Sequence, residues 1–138
     1  ATFQTQIPTW EEWNKNHLQD CRYVACLNDQ IIGWIALSPT SSRACYSGVV
    51  EVSVYVDTRH KKMGVGTALL RKVILCSEEK GIWSLYCSIT KENIESIALH
   101  KKCGFREIGF REKIAKMQDG SWHDTVLLER RSNVIGKL

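Results

Sequence analysis

A chain of 138 residues has room for one domain with a core of its own and not for two, since domains run to about 100–150 residues. With 43% hydrophobic and 25% charged residues and two prolines, the composition is that of a folded globular protein, which excludes a disordered or low-complexity one. The 19 basic residues against 15 acidic ones leave a net charge of +4, which suits an anionic ligand but is too mild to argue for nucleic acid.

In chain order, Ala1 to Thr9 lacks the basic segment and apolar core of a signal peptide, and no apolar run nears the ~20 residues of a membrane helix. The expectation is a cytoplasmic protein with no membrane partner. An apolar run from Tyr23 to Leu27, the turn pair Asn28-Asp29 and a second run from Ile31 to Leu37 predict a β-hairpin. A polar loop, Ser38 to Ser47, follows. Val49 to Val56 alternates, with Val50, Val52, Val54 and Val56 on one face and Glu51, Ser53 and Tyr55 on the other, which predicts a strand. The period then switches, because Val65, Leu69, Val73 and Cys76 fall at helical spacing up to a stop at Lys80-Gly81. Trp83 to Ile89 reads as a strand, Asn93 to Lys102 as a short helix closed by Gly104, and Phe105 to Met117 as mostly strand. Asp119-Gly120 signals a hairpin turn and Trp122 to Glu129 the returning strand. Strands interleaved with helices and closed by a hairpin imply a mixed α/β sheet in a single domain, residues 1–138.

The six cysteines (Cys21, Cys26, Cys45, Cys76, Cys87, Cys103) are scattered, without a CxxC pair, among apolar residues. They are expected to be reduced, buried or half-buried thiols, and the same scatter argues against a metal site. Two histidines, His17 and His60, read as exposed polar residues.

One loop stands out at the strand-to-helix junction, Lys61-x-x-Gly64-x-Gly66. Glycines let backbone approach a ligand, a helix start offers unpaired N–H groups, and its dipole favours an anion, so phosphate is the natural guest. The pattern is neither GxxxxGK[ST] nor GxGxxG, and a plain tight turn with a basic rim is the alternative.

Taken together with Glu51-Val52-Ser53-Val54-Tyr55-Val56-Asp57 before it, the run Arg59 to Leu70 resembles the acyl-CoA-binding motif of the GNAT N-acetyltransferase superfamily, with Lys61 in the first place of its [Q/R]-x-x-G-x-[G/A] loop. Asn93-x-x-Ser96-x-x-Leu99-His100-x-Lys102-x-Gly104-Phe105 resembles the second motif on the CoA side. Gly33-Trp34-x-x-Leu37-Ser38-Pro39, Arg43-x-x-Tyr46 and Asp119-Gly120-x-Trp122-His123-Asp124 narrow the resemblance to the phosphinothricin and methionine sulfone/sulfoximine branch. It runs along nearly the whole chain.

The resemblance implies a twisted, mostly antiparallel sheet flanked by helices, with a V-shaped opening between central strands that takes acetyl-CoA as co-substrate and no metal. The pantetheine arm is expected on Val54, Tyr55 and Val56, the pyrophosphate on amides from Lys62 through Met63, Gly64, Val65 and Gly66 to Thr67 with Lys61 beside them, and further contacts from Asn93 and Ser96. His100 stands where many members carry a tyrosine that protonates the leaving thiolate, with a merely packed side chain as the alternative. An amine must lose a proton before it attacks a thioester, so a general base is needed, and Glu51 is the candidate against an ion-paired strand carboxylate. His123, in the motif resembling the branch's Trp-His-Asp, is a candidate for proton handling or for shaping the acceptor pocket, with a structural hydrogen bond in the last hairpin as the alternative. Arg43 is expected to hold an acceptor α-carboxylate, with Trp34 and Tyr46 walling the pocket; as the alternative it is a solvated loop charge. A Cys103–His100 nucleophilic pair would need an orienting third group.

The expected reaction is acetyl transfer to the amine of a small amino acid or analogue. The alternatives are another amine, such as a polyamine or a protein N-terminus, and a non-catalytic acyl-CoA-binding module. A nucleic-acid-binding domain around Arg59 to Lys62 has no recognition motif to support it. The branch has a further arginine near the place of Ser41, and its members begin with a strand and a long helix ahead of the stretch matching Ala1-Thr2-Phe3, so a shortened N-terminus is expected here. A homodimer is expected from the relatives and from the need to cover a sheet edge.

Overall fold

The structure is a computed structural model that describes residues 6–137. The stretch Ala1 to Phe3, on which the expectation of a shortened start rests, lies outside the described residues. Six strands form one sheet in the order β1-β2-β3-β4-β6-β5: β1 is Tyr23–Leu27, β2 Gln30–Pro39, β3 Val49–Val56, β4 Ser84–Thr90, β5 Arg106–Lys116 and β6 Trp122–Arg131. Three α-helices accompany them, α1 at Trp10–Lys15, α2 at Val65–Glu79 and α3 at Ile94–Lys102. All pairings are antiparallel except β3 with β4.

The β1–β2 hairpin closes on Asn28 and Asp29 with φ of 50° and 67°, the left-handed pair that a two-residue turn matching the strand twist demands. In β3 the valines at 50 and 52 are buried and Glu51 is not fully so, as the alternation requires. Helix α2 lays Leu69, Leu70, Val73 and Ile74 against Ile35, Leu37, Val50 and Val52 of the sheet. Leu37, Leu70 and Val73 are wholly enclosed, each burial stabilising by about 1.5–3 kcal/mol against an extended chain. Both long helices end alike. Ile82 N–H reaches Ser77 O at 2.9 Å and Gly81 N–H reaches Glu78 O at 3.1 Å after α2; Phe105 N–H reaches His100 O at 3.0 Å and Gly104 N–H reaches Lys101 O at 3.1 Å after α3. These paired 6→1 and 5→2 bonds absorb the last carbonyls, with Gly81 at φ 77° and Gly104 at φ 94° making the turn.

Two expectations need correction. Cys21 and Cys76 are not reduced thiols but a disulfide, with Cα atoms 5.6 Å apart, that ties the residues ahead of β1 to the last turn of α2. With the partners 55 positions apart in sequence, the link stabilises by roughly 4 kcal/mol on a chain-entropy account. Cys26 and Cys45 are exposed rather than buried. Neither His17 nor His60 is an exposed polar residue: the His17 ring stacks on Trp13 at 4.1 Å between centroids, and His60 lies half-buried 3.7 Å from Asp57. Helix α1 has no counterpart among the predicted elements. Its start is a Thr9-x-x-Glu12 cap, with Thr9 Oγ1 accepting from Glu12 N at 3.2 Å.

Candidate active site

The parallel pairing of β3 and β4 lasts three rungs, Val49–Ser84, Val50–Leu85 and Glu51–Tyr86. Beyond it β3 stays paired with β2 as far as Val56, β4 stays paired with β6 as far as Thr90, and a cleft of about 1090 Å3 opens between them. Val52 to Val56 form one wall and Cys87 to Thr90 the other, with the start of α2 and the inner face of α3 closing the wide end.

Gly64 is the N-cap of α2, at φ 80° and ψ 8°, and brings no side-chain hydrogen bond to the helix start. Lys62 ahead of it is also left-handed, at φ 65°. The first amides of a 15-residue helix therefore face the cleft without a protein cap, an arrangement that binds anions. Close approach matters two residues later: a Cβ on Gly66 would stand 2.9 Å from Leu99 Cδ2, so glycine lets α2 and α3 converge at the cleft. The loop is held from behind by Asp57, whose carboxylate caps Arg59 N at 3.0 Å and grips its guanidinium at 2.9 Å, bonds that hold the carboxyl down at about 2. Helix α3 starts differently: Asn93 Oδ1 accepts from Ser96 N at 3.3 Å, which leaves the Asn93 amide NH2 as the donor it can offer the cleft.

At the narrow end Glu51 sits opposite Ser38 on β2 and Tyr86 on β4. It is half-buried, has no ion-pair or hydrogen-bond partner among the described residues, and burial raises its pKa above the ordinary carboxylate value. Behind it Cys87 is buried, and that burial, with the Glu51 charge added, pushes the thiol up to about 12. A neutral thiol is a poor nucleophile, so chemistry here falls to the carboxylate. His100 is 2% exposed, with Nδ1 2.7 Å from Ser96 O and the ring edge-on to Phe105 at 5.1 Å. Desolvation lowers its pKa.

The cleft thus brings together Glu51, Val54, Tyr55, Val56, Lys61, Lys62, Gly64, Val65, Gly66, Thr67, Asn93, Ser96 and His100. The remaining predicted residues lie outside its lining. Met63 is exposed beside a groove between β1 and α2. Arg43 is exposed, its guanidinium 5.6 Å over the Tyr46 ring on the turn Ala44–Tyr46 that leads into β3. Trp34 reaches the cleft only through Tyr55, at 4.8 Å between rings. His123 is on β6 with Nε2 3.3 Å from Ser121 Oγ. No group of three His, Cys, Asp or Glu side chains that could hold a metal occurs among the described residues. Sequence reasoning missed the second wall, Ser88 and Thr90, whose signal was a polar alternation in β4.

A splayed mostly antiparallel sheet with an uncapped helix start at the mouth of the gap defines a class of protein, and residues 2–105 match the family model described as acetyltransferase (GNAT) family. The chain belongs to the GNAT family and is an N-acetyltransferase. It is 32% identical over 135 residues to the phosphinothricin N-acetyltransferase of Streptomyces viridochromogenes, covering 94% of this chain and 73% of that one. It is 26% identical over 133 residues to the L-amino acid N-acetyltransferase AaaT of Escherichia coli, covering 94% and 81%. Among solved structures, a GNAT superfamily phosphinothricin acetyltransferase from Sinorhizobium meliloti in complex with acetyl-CoA superposes with a TM-score of 0.87 at 25% identity, over 100% of this chain and 77% of that one.

Proposed function

We propose that this chain moves the acetyl group of acetyl-CoA to the amine of a small amino acid or analogue, of the phosphinothricin and methionine sulfone/sulfoximine type, by direct attack. The observation that carries the reading is a single cleft with uncapped helix amides at one end and an unpaired, half-buried carboxylate at the other. Its volume and donors suit the co-substrate: amides from Lys62 to Thr67 for the pyrophosphate, the Asn93 NH2 group and the Val54–Val56 edge for the arm. Acetyl-CoA supplies a thioester carbonyl. Glu51, deprotonated, takes a proton from the incoming ammonium through water, and its raised pKa brings it nearer the optimum for a base at neutral pH. Arg43, on the turn leading into β3, is the candidate for an acceptor carboxylate. The relatives that act on phosphinothricin and L-amino acids support this choice of acceptor.

The chain is further proposed to be a single domain and a homodimer. Ile108, Phe110 and Ile114, 43%, 54% and 52% exposed on the outer strand β5, are the surface that a second copy would cover. Light scattering after size exclusion tests it, and a monomer at working concentration overturns it. No described helix is long and apolar enough to cross a membrane. Acetyl-CoA is an intracellular metabolite, so the cytoplasm is the compartment proposed with this reading.

The decisive experiment is mass spectrometry of products after incubation with acetyl-CoA and phosphinothricin, methionine sulfone, methionine sulfoximine and ordinary amino acids. An N-acetylated amino acid, lost in Glu51→Gln, is the expected result. Acetyl-CoA binding without any product overturns the acceptor assignment.

A further inference from the structure

His100 is fixed from three sides. Its carbonyl accepts Phe105 N–H at 3.0 Å, the Phe105 ring meets its ring edge-on at 5.1 Å, and Nδ1 lies 2.7 Å from the carbonyl of Ser96 one turn earlier. A carbonyl oxygen only accepts, so Nδ1 is the nitrogen that carries the proton. In a neutral imidazole the other nitrogen is then a bare lone pair. That Nε2 is shut off from water and has no hydrogen-bond partner among the described residues, while His100 is one of the residues lining the cleft. An acceptor buried without a donor bears the full cost of its desolvation, which a donor on the cleft's ligand would offset. A proton on Nε2 would make the ring a cation in a site where it is 2% exposed.

We propose that His100 is a fixed hydrogen-bond acceptor for an N–H or S–H donor on the acyl-CoA arm and not the acid that protonates the leaving thiolate. The proposal rests on the reading of the cleft as an acetyl-CoA site. Proton accounting closes without an acid at this position. Glu51 takes one proton from the ammonium; the amine nitrogen bonds to the acetyl carbon as the C–S bond breaks; the proton still in excess on that nitrogen passes to the sulfur, giving amide and free thiol. The titratable groups sharing the cleft are Glu51, Tyr55 and Cys87 from the sheet, His60 and the loop lysines, and Glu95 and Lys102 from α3.

Nitrogen NMR of the His100 ring in the intact protein, alone and with coenzyme A or acetyl-CoA, tests the assignment. Nδ1 protonated and Nε2 bare between pH 6 and 9, with the Nε2 signal moved by a bound ligand, is the expected result; a shift with coenzyme A alone identifies the thiol as donor. Nε2 protonated in either complex, or unmoved while the ligands bind, overturns it. In kinetics, His100→Phe is expected to weaken acetyl-CoA binding about tenfold and His100→Gln, which keeps an acceptor, by less, with the alkaline side of the kcat profile unchanged in both. An alkaline limb present in the wild type and lost in His100→Gln, at unchanged acetyl-CoA affinity, overturns the proposal in favour of an acid. Should the variants not fold, the wild-type spectra decide. A wild-type chain that binds acetyl-CoA but acetylates no amine sinks the function reading and leaves the spectra to decide on His100; one that binds neither acetyl-CoA nor coenzyme A sinks both.

Discussion

The two ends of the cleft are built from different materials. At the wide end the working groups are backbone amides, presented by a left-handed Gly64 and an uncapped helix, with exposed lysines around them. At the narrow end they are side chains, a half-buried carboxylate over a buried thiol, whose properties come from exclusion of water. Binding by backbone depends on chain geometry and tolerates change of side chain. Chemistry by a buried carboxylate depends on one residue and on the packing that desolvates it.

Exchanging the carboxylate should separate the ends most sharply. Glu51→Gln is expected to lower turnover by about 10²–10⁴-fold while acetyl-CoA affinity, measured by calorimetry, stays the same. Equal turnover at saturating substrate would remove Glu51 from the mechanism. In the wild type the rate should climb with pH as Glu51 ionises, with a midpoint above the ordinary carboxylate value. Stability should move the other way. Because the folded pKa is raised, the wild type loses stability as pH rises through it, so Glu51→Gln should melt higher than wild type at pH 8 and equally at pH 4.

At the wide end the sharpest break is in the backbone. Gly64→Ala finds open space for its Cβ but must hold φ at 80°, which costs about 1–2 kcal/mol and should raise the KM for acetyl-CoA about tenfold with little change in kcat. Gly64→Asn, which tolerates that conformation, should recover part of the loss. Asn93→Ala should cost about 1 kcal/mol of stability by removing the α3 cap, seen in denaturant midpoints, and weaken acetyl-CoA modestly. Arg43→Gln is expected to have the smallest effect, a rise of a few-fold in acceptor KM that fades in high salt, since its guanidinium is exposed.

The same contrast decides what could be read in the sequence. The valines of β3 and the stops at Gly81 and Gly104 fix their elements to within a residue or so, and the glycine spacing at 64 and 66 locates the anion end, because these signals are local. Helix α1 has six residues, too few for a period to declare itself, so only its Thr9–Glu12 cap could announce it. Cys21 and Cys76 meet because α2 runs back along the sheet, which no spacing between positions 55 residues apart discloses. Ser88 and Thr90 become a wall only because pairing with β3 stops after three rungs. Arg43 and His123 carry family motifs, yet the fold sets them outside the cleft lining. The tautomer of His100 follows from a carbonyl one helical turn away, a fact about geometry with no trace in composition.

The three-rung junction also leaves a record that solvent exchange can read. Asp57 N–H reaches Ile32 O at 2.7 Å and the last parallel rung is Glu51–Tyr86, so strand alternation turns the N–H groups of Val54 and Val56 away from β2 and into the gap. With no strand beside them these two amides should take up deuterium quickly, while their neighbours Ser53 and Tyr55, tied to β2, take it up slowly. A fast–slow alternation along one strand is the signature of a ladder open on one edge, and the last valine to slow when a ligand is added marks how far along β3 that ligand lies.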